Sequence, residues 1–258
     1  MGDDAASEMV SQSIAAHYSG ANSGLRGELM RTVIFDLDGT LADTSADLIA
    51  AANHCFEAAG HGSPLDAKAD ALTAFHGGRA MLRLGFSRLG LSQPGQGGED
   101  QVDRQYPVLL DAYEDQIDRH TRLYPGAVAA VEALRRAGFA TGICTNKPER
   151  LADILLNRLG VRDLFASLVG ADTLAVRKPD PAPYRLAVEQ AGGVLARSIL
   201  IGDTDTDRQT GRAAGVPVAL VTFGPEGVGV ARFEPEALIG HFDELPALVA
   251  RLLPAVAA

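Results

Sequence analysis

Residues 32–40 read TVIFDLDGT. The first four residues are β-branched or aromatic, and polar residues follow them at once. A short apolar run that ends in this way predicts a buried strand and then a loop. Asp36 and Asp38 lie two positions apart, so their side chains point the same way if the extended backbone continues. Two neighbouring carboxylates can divide the roles of nucleophile and general acid/base between them.

From residue 125 onward, the sequence alternates between helical and strand-like segments. This alternation predicts right-handed crossovers and a parallel sheet with helices on both faces. The glycine-rich residues 224–230 lack the order of a nucleotide-binding fingerprint, so we interpret them as a loop. The strand-like runs after the first are 139–146, 167–172, 198–203 and 216–224.

The segment that follows the first strand has a different pattern. Its apolar residues recur at helical spacing, and it contains no convincing strand. The breaks in this pattern fall at 60–64, 76–78 and 91–101. We therefore predict an α/β fold, in which a Rossmann-like parallel sheet carries an all-helical cap inserted after its first strand. The predicted parts are a weakly ordered tail at 1–30, a core at 31–45 and 122–258, and the cap at 46–121.

Polar residues follow the strand-like runs at several places. In open parallel sheets, ligands bind beyond the carboxyl ends of the strands. We therefore expect these polar residues to meet at one edge of the sheet, below the predicted cap. They are Asp36 and Asp38, Thr145 and Asn146, Lys178, and the acidic run from Asp203 to Asp207.

The acidic run has carboxylates at Asp203, Asp205 and Asp207. Like charges this close repel one another unless a cation lies among them. An EF-hand calcium loop does not explain the run, because that loop needs glycine at its sixth position and glutamate at its twelfth. The chain has Arg208 and Ala214 at those positions.

Four motifs occur in the order FDLDGTLADT, CTNKPE, RKPDPAP and IGDTDTD. Together they resemble the haloacid dehalogenase-like (HAD) superfamily of phosphohydrolases, over residues 31 to about 250. The segments TNKPE, DTLAVRKPDPAP and AAGVPVALVTFG are most similar to those of the phosphoglycolate phosphatase group, whose helical cap also follows the first motif. The resemblance implies the HAD fold, phosphatase activity and a Mg²⁺ cofactor.

The resemblance also implies a role for each matching residue. Asp36 would be the nucleophile and take the phosphoryl group as an aspartyl-phosphate. Asp38 would protonate the leaving alkoxide and later deprotonate the hydrolytic water. Lys178 would neutralise charge beside the nucleophile. Thr145 and the backbone of Asn146 would hold phosphate oxygens.

The same resemblance implies a metal-binding set. Asp203 would bind Mg²⁺ together with the carboxylate of Asp36 and the backbone carbonyl of Asp38. Asp207 would act through a metal-bound water or through the lysine. Asp205 has no counterpart in the family pattern, so we expect it to face solvent or to cap the following helix.

Elementary electrostatics agrees with this assignment. A phosphate dianion that approaches an ionised aspartate is repelled, so attack requires a divalent cation and a lysine nearby. Mg²⁺ keeps several waters and takes only one or two protein carboxylates, which leaves a position for the substrate phosphate.

The predicted cap contains one suggestive loop, FHGGRAM at residues 75–81. Gly77 and Gly78 would let the backbone approach a ligand closely. Arg79 could form a bidentate pair with a substrate carboxylate. The alternative is that Arg79 is a solvated side chain at the start of a helix.

Composition excludes several classes of protein. The net charge of −10 and the pI near 5.0 argue against nucleic acid as a partner. No apolar run approaches the length that spans a bilayer, so we expect no membrane partner. The two cysteines form no spacing pattern, which favours a reduced, cytoplasmic setting. We expect a monomer or a homodimer.

These observations together predict a Mg²⁺-dependent phosphomonoester hydrolase that acts on a small anionic phosphometabolite, with 2-phosphoglycolate as the best single substrate. Alternatives within catalysis are a phosphatase for a sugar phosphate or nucleotide, and a phosphomutase of the β-phosphoglucomutase type. Dehalogenases of the superfamily lack the second aspartate, so Asp38 favours phosphorus chemistry. A phospho-accepting regulatory domain is disfavoured, because such domains are about half this length and lack both the cap and the second aspartate.

Overall fold

The computed structural model of the chain describes residues 30–91 and 98–255. The tail predicted at 1–30 lies outside these ranges except for Met30. The strands in the described ranges are β1 Arg31–Phe35, β2 Ala42–Asp43, β3 Arg122–Leu123, β4 Phe139–Cys144, β5 Ser167–Val169, β6 Ser198–Gly202, β7 Val218–Val221 and β8 Ala237–Ile239. The α-helices are α1 Ser45–Ala58, α2 Ala71–Phe75, α3 Gly78–Arg88, α4 Gly98–Asp115, α5 Ala127–Arg136, α6 Glu149–Arg158, α7 Ala182–Gln190, α8 Asp205–Ala214 and α9 Leu245–Leu252. Short 3₁₀ helices occur at Arg162–Leu164, Leu195–Arg197, Gly227–Phe233 and Phe242–Glu244.

Six strands form one parallel sheet in the order β5-β4-β1-β6-β7-β8. The predicted α/β fold with a Rossmann-like parallel sheet is confirmed. β1 lies between β4 and β6, and Val33 pairs with Thr141 on one side and with Ile199 on the other. A central strand of this kind has both faces covered, which explains why its sequence is a continuous apolar run.

The end of the sheet differs from the prediction in two details. β8 was not predicted, because three residues at a sheet edge are too few to show a periodic pattern. The glycine-rich residues 224–230, interpreted as a loop, run into the 3₁₀ helix Gly227–Phe233.

Helices α1 to α4 occupy the segment between β2 and β3, and no strand lies within the described part of 46–121. The predicted breaks at 60–64 and 76–78 agree with the ends of α1 at Ala58 and α2 at Phe75. The third break, 91–101, falls mostly on residues outside the described ranges, and α4 already begins at Gly98. The division into core and cap at these boundaries stays a prediction.

The two connections between the sheet and these helices run side by side. β2 and β3 pair antiparallel, with Ala42 opposite Leu123. The buried carboxylate of Asp47, near the start of α1, accepts hydrogen bonds from the backbone N–H groups of His120 and Thr121 and from the Thr121 hydroxyl, at 2.8–3.0 Å. The first turn of α1 is thereby tied to the strand on which the chain returns.

The apolar core continues from the sheet into the inserted helices. Val33 and Phe35 of β1 belong to the same buried cluster as Phe56 of α1 and Met81 of α3. Ile34 points to the opposite face and packs in a second cluster with residues of α7. Burial of this shared apolar surface joins the inserted helices to the rest of the core. None of the helices in the described ranges is long and apolar enough to cross a bilayer.

Candidate active site

The carboxyl edge of the parallel sheet brings charged side chains together. Asp36 follows β1 and Asp203 follows β6, while the loop after β5 carries Lys178. Lys178 Nζ lies 3.1 Å from Asp36 Oδ1 and 2.7 Å from Asp207 Oδ1. One carboxylate oxygen each from Asp36, Asp203 and Asp207 lies within 4.8 Å of the other two. The structure thus brings three acids and one lysine, from three separate parts of the sequence, into one cluster.

Asp36 is buried at the end of the central strand. Its Oδ1 accepts a hydrogen bond of 2.7 Å from the backbone N–H of Leu37. Burial raises the pKa of Asp36 to about 6, an effect that Lys178 opposes and that Asp207 reinforces. A carboxylate in this setting needs nearby positive charge to remain ionised, and the lysine alone does not restore its ordinary pKa.

Asp203 has one satisfied and one unsatisfied oxygen. Its side chain is buried, with 1% of the residue exposed. Oδ1 accepts a 2.7 Å hydrogen bond from the hydroxyl of Thr40, but Oδ2 has no hydrogen-bond partner within the described ranges. Burial, and then the charges of Asp207 and Asp36, raise the pKa of Asp203 well above its ordinary value. An orphaned buried carboxylate oxygen beside a second carboxylate fits a hard divalent cation such as Mg²⁺.

Asp207 belongs to the same cluster, but its oxygens are already in use. Oδ1 accepts from Lys178, and Oδ2 accepts from the hydroxyl of Thr204 at 2.7 Å and from the backbone N–H groups of Thr204 and Asp203. Thr204 and Asp207 form a capping box at the start of α8. Asp207 therefore orients the lysine and the loop and is poorly suited to bind a metal directly. The helix cap is Thr204, and Asp205 instead accepts a hydrogen bond from Gln209.

Asp38 has a cationic partner that the sequence reasoning missed. Its Oδ1 accepts hydrogen bonds from Lys147 Nζ at 2.9 Å and from the hydroxyl of Thr44 at 2.7 Å. Burial lowers the pKa of Lys147, but the charge and hydrogen bond of Asp38 together with the contact to Tyr113 outweigh it and raise the pKa, so the side chain stays an ammonium. The CTNKPE motif contains this lysine directly after Thr145 and Asn146, yet a motif does not reveal which carboxylate a lysine meets.

The two residues predicted to hold phosphate oxygens lie at the end of β4. Thr145 is buried, and its hydroxyl accepts from the backbone N–H of Lys147 at 3.2 Å. The amide of Asn146 donates to the backbone carbonyl of Lys178 at 3.0 Å. The Asn146 side chain therefore fastens the lysine loop to the end of β4, which agrees with a ligand role for its backbone rather than its side chain.

The inserted helices reach the site through Phe75, at the end of α2. Gly39 has φ of 81°. A Cβ atom there would overlap Asp203 Oδ2 and lie 3.1 Å from Cδ1 of Phe75. An aromatic ring therefore packs next to the orphaned carboxylate oxygen. The sequence pattern predicts no role for Phe75 beyond its place as the first residue of the FHGGRAM loop.

The other residues of this loop have contacts within their own segment. Gly77 has φ of 93°, which favours glycine. A Cβ at Gly78 would lie 3.0–3.3 Å from side-chain atoms of Leu109 and Tyr106, so a side chain there would crowd the packing of α3 on α4. Arg79 pairs with Asp103 and lies 4.4 Å from the ring centroid of Tyr106. It makes no hydrogen bond to the acidic cluster within the described ranges.

Residues 33–221 match the family of haloacid dehalogenase-like hydrolases. The chain belongs to the haloacid dehalogenase-like hydrolase family. The match extends from the first strand through β7 and so includes every strand end that contributes to the acidic cluster. The predicted family resemblance is confirmed.

Similar proteins with named activities indicate which type of reaction this haloacid dehalogenase-like hydrolase catalyses. The phosphoglycolate phosphatase of Mesorhizobium japonicum is 39% identical over 221 residues, covering 86% of this chain and 95% of the relative. That of Agrobacterium fabrum is 39% identical over 223 residues, covering 85% and 93%. A solved structure from Lactobacillus delbrueckii, described as a candidate phosphoglycolate phosphatase, is 25% identical with a TM-score of 0.75 and covers 88% of this chain and 99% of its own. The enzyme is a phosphatase, as predicted.

Proposed function

We propose that this phosphatase hydrolyses 2-phosphoglycolate to glycolate and phosphate, through an aspartyl-phosphate on Asp36 and with Mg²⁺ bound. The observation that supports the chemistry is the orphaned Oδ2 of Asp203 beside Asp36 and Lys178. The activity named for the relatives supports the substrate. A cytoplasmic setting and a monomer or homodimer stay predictions.

In the first step, a carboxylate oxygen of Asp36 attacks phosphorus as the bond from phosphorus to the ester oxygen breaks. Asp38 donates its proton to the departing glycolate oxygen. Thr145 and the backbone of Asn146 hold the phosphoryl oxygens, and Lys178 balances their charge. In the second step, Asp38 takes a proton from a water whose oxygen attacks phosphorus, and the Asp36 carboxylate is released with phosphate.

The metal would be held by Asp36, by Asp203 and by the backbone carbonyl of Asp38. When bound, Mg²⁺ supplies positive charge that offsets repulsion between the phosphate and the nucleophile. The raised pKa of Asp36 indicates that the protein alone leaves this carboxylate short of positive charge. The fully engaged oxygens of Asp207 leave it outside this proposed set.

A panel assay tests the proposal. The purified protein is incubated with 2-phosphoglycolate, sugar phosphates and nucleotides, with Mg²⁺ and with EDTA. We expect the highest kcat/KM for 2-phosphoglycolate and loss of activity in EDTA. Isomerisation of a sugar phosphate without net phosphate release would instead support a phosphomutase of the β-phosphoglucomutase type. A higher kcat/KM for another phosphoester would overturn the proposed substrate.

A further inference from the structure

Lysine is scarce in this chain, and its placement is uneven. The sequence contains three lysines, and the other 20 of its 23 basic residues are arginines. Lys68 is exposed, whereas Lys147 and Lys178 are buried at the sheet edge. Lysine presents a compact, strongly hydrated charge, so burying one is costly unless the charge is used. The proposed mechanism uses Lys178 and gives Lys147 no contact with substrate.

The two buried lysines differ in how well their charge is balanced. Lys178 meets the carboxylates of Asp36 and Asp207. Lys147 meets the single carboxylate of Asp38, and its Nζ lies 4.5 Å from the ring centroid of Tyr113. An ammonium carries three N–H donors. Within the described ranges, Asp38 Oδ1 is the acceptor that Lys147 Nζ finds, so donor capacity is left over.

Tyr113, on α4, adds a second unused donor beside this lysine. The residue is buried, and within the described ranges its hydroxyl finds no acceptor for its proton, because the neighbouring Lys147 ammonium can only donate. The Lys147 ammonium lies over the ring of Tyr113. Leaving a buried hydroxyl unpaired costs about 1–3 kcal/mol. A small group that only accepts hydrogen bonds would satisfy the hydroxyl and the ammonium together.

The position of the pair identifies that group. Asp38 must contact the ester oxygen to protonate it, at roughly 3 Å. Asp38 Oδ1 already accepts from Lys147 Nζ at 2.9 Å and from Thr44, so the ester oxygen meets Oδ2 and lies within roughly 8 Å of the ammonium. Asp38 keeps 18% of its side chain exposed, which leaves it accessible to a substrate. In 2-phosphoglycolate, a single carbon separates the ester oxygen from the carboxylate, a span of roughly 3 Å.

We propose that Lys147 and Tyr113 bind the carboxylate of the substrate, on the carbon next to the phosphoester. This inference rests on the proposed phosphoglycolate phosphatase function and deepens it. The subsite selects small phosphoesters that carry an anionic group adjacent to the ester carbon. It also moves carboxylate recognition away from Arg79, whose guanidinium is engaged by Asp103 and Tyr106.

The test compares 2-phosphoglycolate with its neutral amide, 2-phosphoglycolamide, which has the same size. The measured quantity is the ratio of their kcat/KM values, in Mg²⁺ at fixed pH. Lys147→Met removes the charge and the donor. Lys147→Gln keeps a donor toward Asp38 but removes the charge. Tyr113→Phe removes one hydroxyl, and Lys68→Met is the matched control at an exposed lysine.

We expect the wild-type enzyme to prefer the carboxylate substrate. Lys147→Met and Lys147→Gln should each reduce this preference by at least about tenfold, the value of one hydrogen bond to a charged group. Tyr113→Phe should reduce it by about threefold to tenfold, and Lys68→Met should leave it unchanged. Lys147→Arg should restore part of the preference lost in Lys147→Gln. If Lys147→Met does not fold, the Gln, Arg and Phe variants carry the comparison, with melting curves as the check on folding.

Different failures point to different errors. An equal loss for both substrates in the Lys147 variants would mean that Lys147 only positions Asp38, which overturns the subsite. Equal kcat/KM for the two substrates in the wild-type enzyme would also overturn the subsite, while the phosphatase activity stands. If the wild-type enzyme hydrolyses neither compound but cleaves another phosphoester, the proposed substrate is wrong and the subsite falls with it.

Discussion

Charged side chains are arranged differently at the sheet edge and on the inserted helices. At the sheet edge, Lys178 and its partners Asp36 and Asp207 are buried, and the lysine side chain is 2% exposed. On the helices, Arg79 and Asp103 form an ion pair with side chains 39% and 63% exposed. Surface pairs of this kind contribute about 0–1 kcal/mol, whereas removing one partner of a buried pair costs about 3–5 kcal/mol.

The buried charges at the sheet edge are placed for chemistry, whereas the exposed charges on the helices interact mainly with water. Burying three carboxylates and a lysine together costs desolvation free energy. The raised pKa values of Asp36 and Asp203 reflect this cost. The helices avoid it by keeping their ion pairs in water. Substitutions at the sheet edge should therefore change activity and metal response strongly, while those on the helix surface should change little.

The largest effect should come from the proposed nucleophile. Asp36→Asn should reduce kcat by about 10⁴-fold or more, because the amide cannot form the aspartyl-phosphate. Circular dichroism should show an intact fold, since the change removes a buried carboxylate whose desolvation is unfavourable. Turnover near the wild-type rate in this variant would exclude Asp36 as the nucleophile.

A change at Asp203 should remove the response to metal. Asp203→Asn should lower Mg²⁺-dependent activity by roughly 10²–10³-fold and abolish the rise in Tm that Mg²⁺ gives the wild-type protein. In EDTA the variant should melt at or above the wild-type temperature, because a repelled buried carboxylate is gone. An undiminished Mg²⁺ shift would show that the metal binds elsewhere.

The junction between the two regions should show a loss of stability rather than activity. Asp47→Ala leaves the N–H groups of His120 and Thr121 and the Thr121 hydroxyl without their acceptor, so the free energy of unfolding should fall by about 4 kcal/mol. Urea denaturation measures the change. Asp111→Ala, at an exposed position of α4, is the matched control and should stay within about 0.5 kcal/mol of wild type.

The pH dependence of stability should also distinguish the sheet edge. Burial raises the pKa of Asp36 from an ordinary 3.8 to about 6, so the metal-free folded state holds a proton that the unfolded state has lost. Its contribution is therefore present below pH 3.8 and is lost as pH rises through 6, by up to about 3 kcal/mol. Urea denaturation in EDTA at pH 5 and pH 7.5 should show this loss. The Asp36→Asn variant should show a smaller one, and an unchanged slope would contradict the assignment.

The smallest effect should come from Arg79. Arg79→Ala removes an exposed ion pair and a stacking contact, so stability should fall by less than about 1 kcal/mol. If Arg79 paired with the substrate carboxylate, as the sequence allows, this change would raise KM for a carboxylated phosphoester and leave p-nitrophenyl phosphate unaffected. We expect a selective rise below about threefold if Lys147 and Tyr113 bind the carboxylate. A tenfold selective rise would return that role to Arg79.

The parallel sheet could be predicted because its central strands have a clear sequence pattern. TVIF and SILI are continuous buried runs that end at aspartates, and the ends of parallel strands must meet at one edge. β8 escaped prediction, because three half-buried residues carry no usable pattern. Topology therefore predicts that Asp36 and Asp203 lie near each other, at the edge that the loop carrying Lys178 also reaches.

Contacts between side chains distant in sequence could not be predicted in the same way. Lys147 and Asp38 are 109 positions apart, and their pairing depends on how two loops fold back over the sheet edge. Tyr113, on α4, lies next to Lys147, whereas the sequence pattern of that helix predicts only that Tyr113 packs in the core. Nothing in the sequence indicates that the carboxylate of Asp47 accepts a hydrogen bond from the backbone of Thr121, directly before β3.

The scarcity of lysine has a practical consequence for handling the protein. Amine-reactive dyes and surfaces need an exposed, uncharged amino group, and both buried lysines are shielded and held as ammonium ions by raised pKa values. Lys68 is the lysine left accessible in the described ranges. Apart from the α-amine, succinimide ester labelling should therefore attach a single fluorophore, on the connection between α1 and α2. Such a conjugate would report on the inserted helices without modifying the charges at the sheet edge.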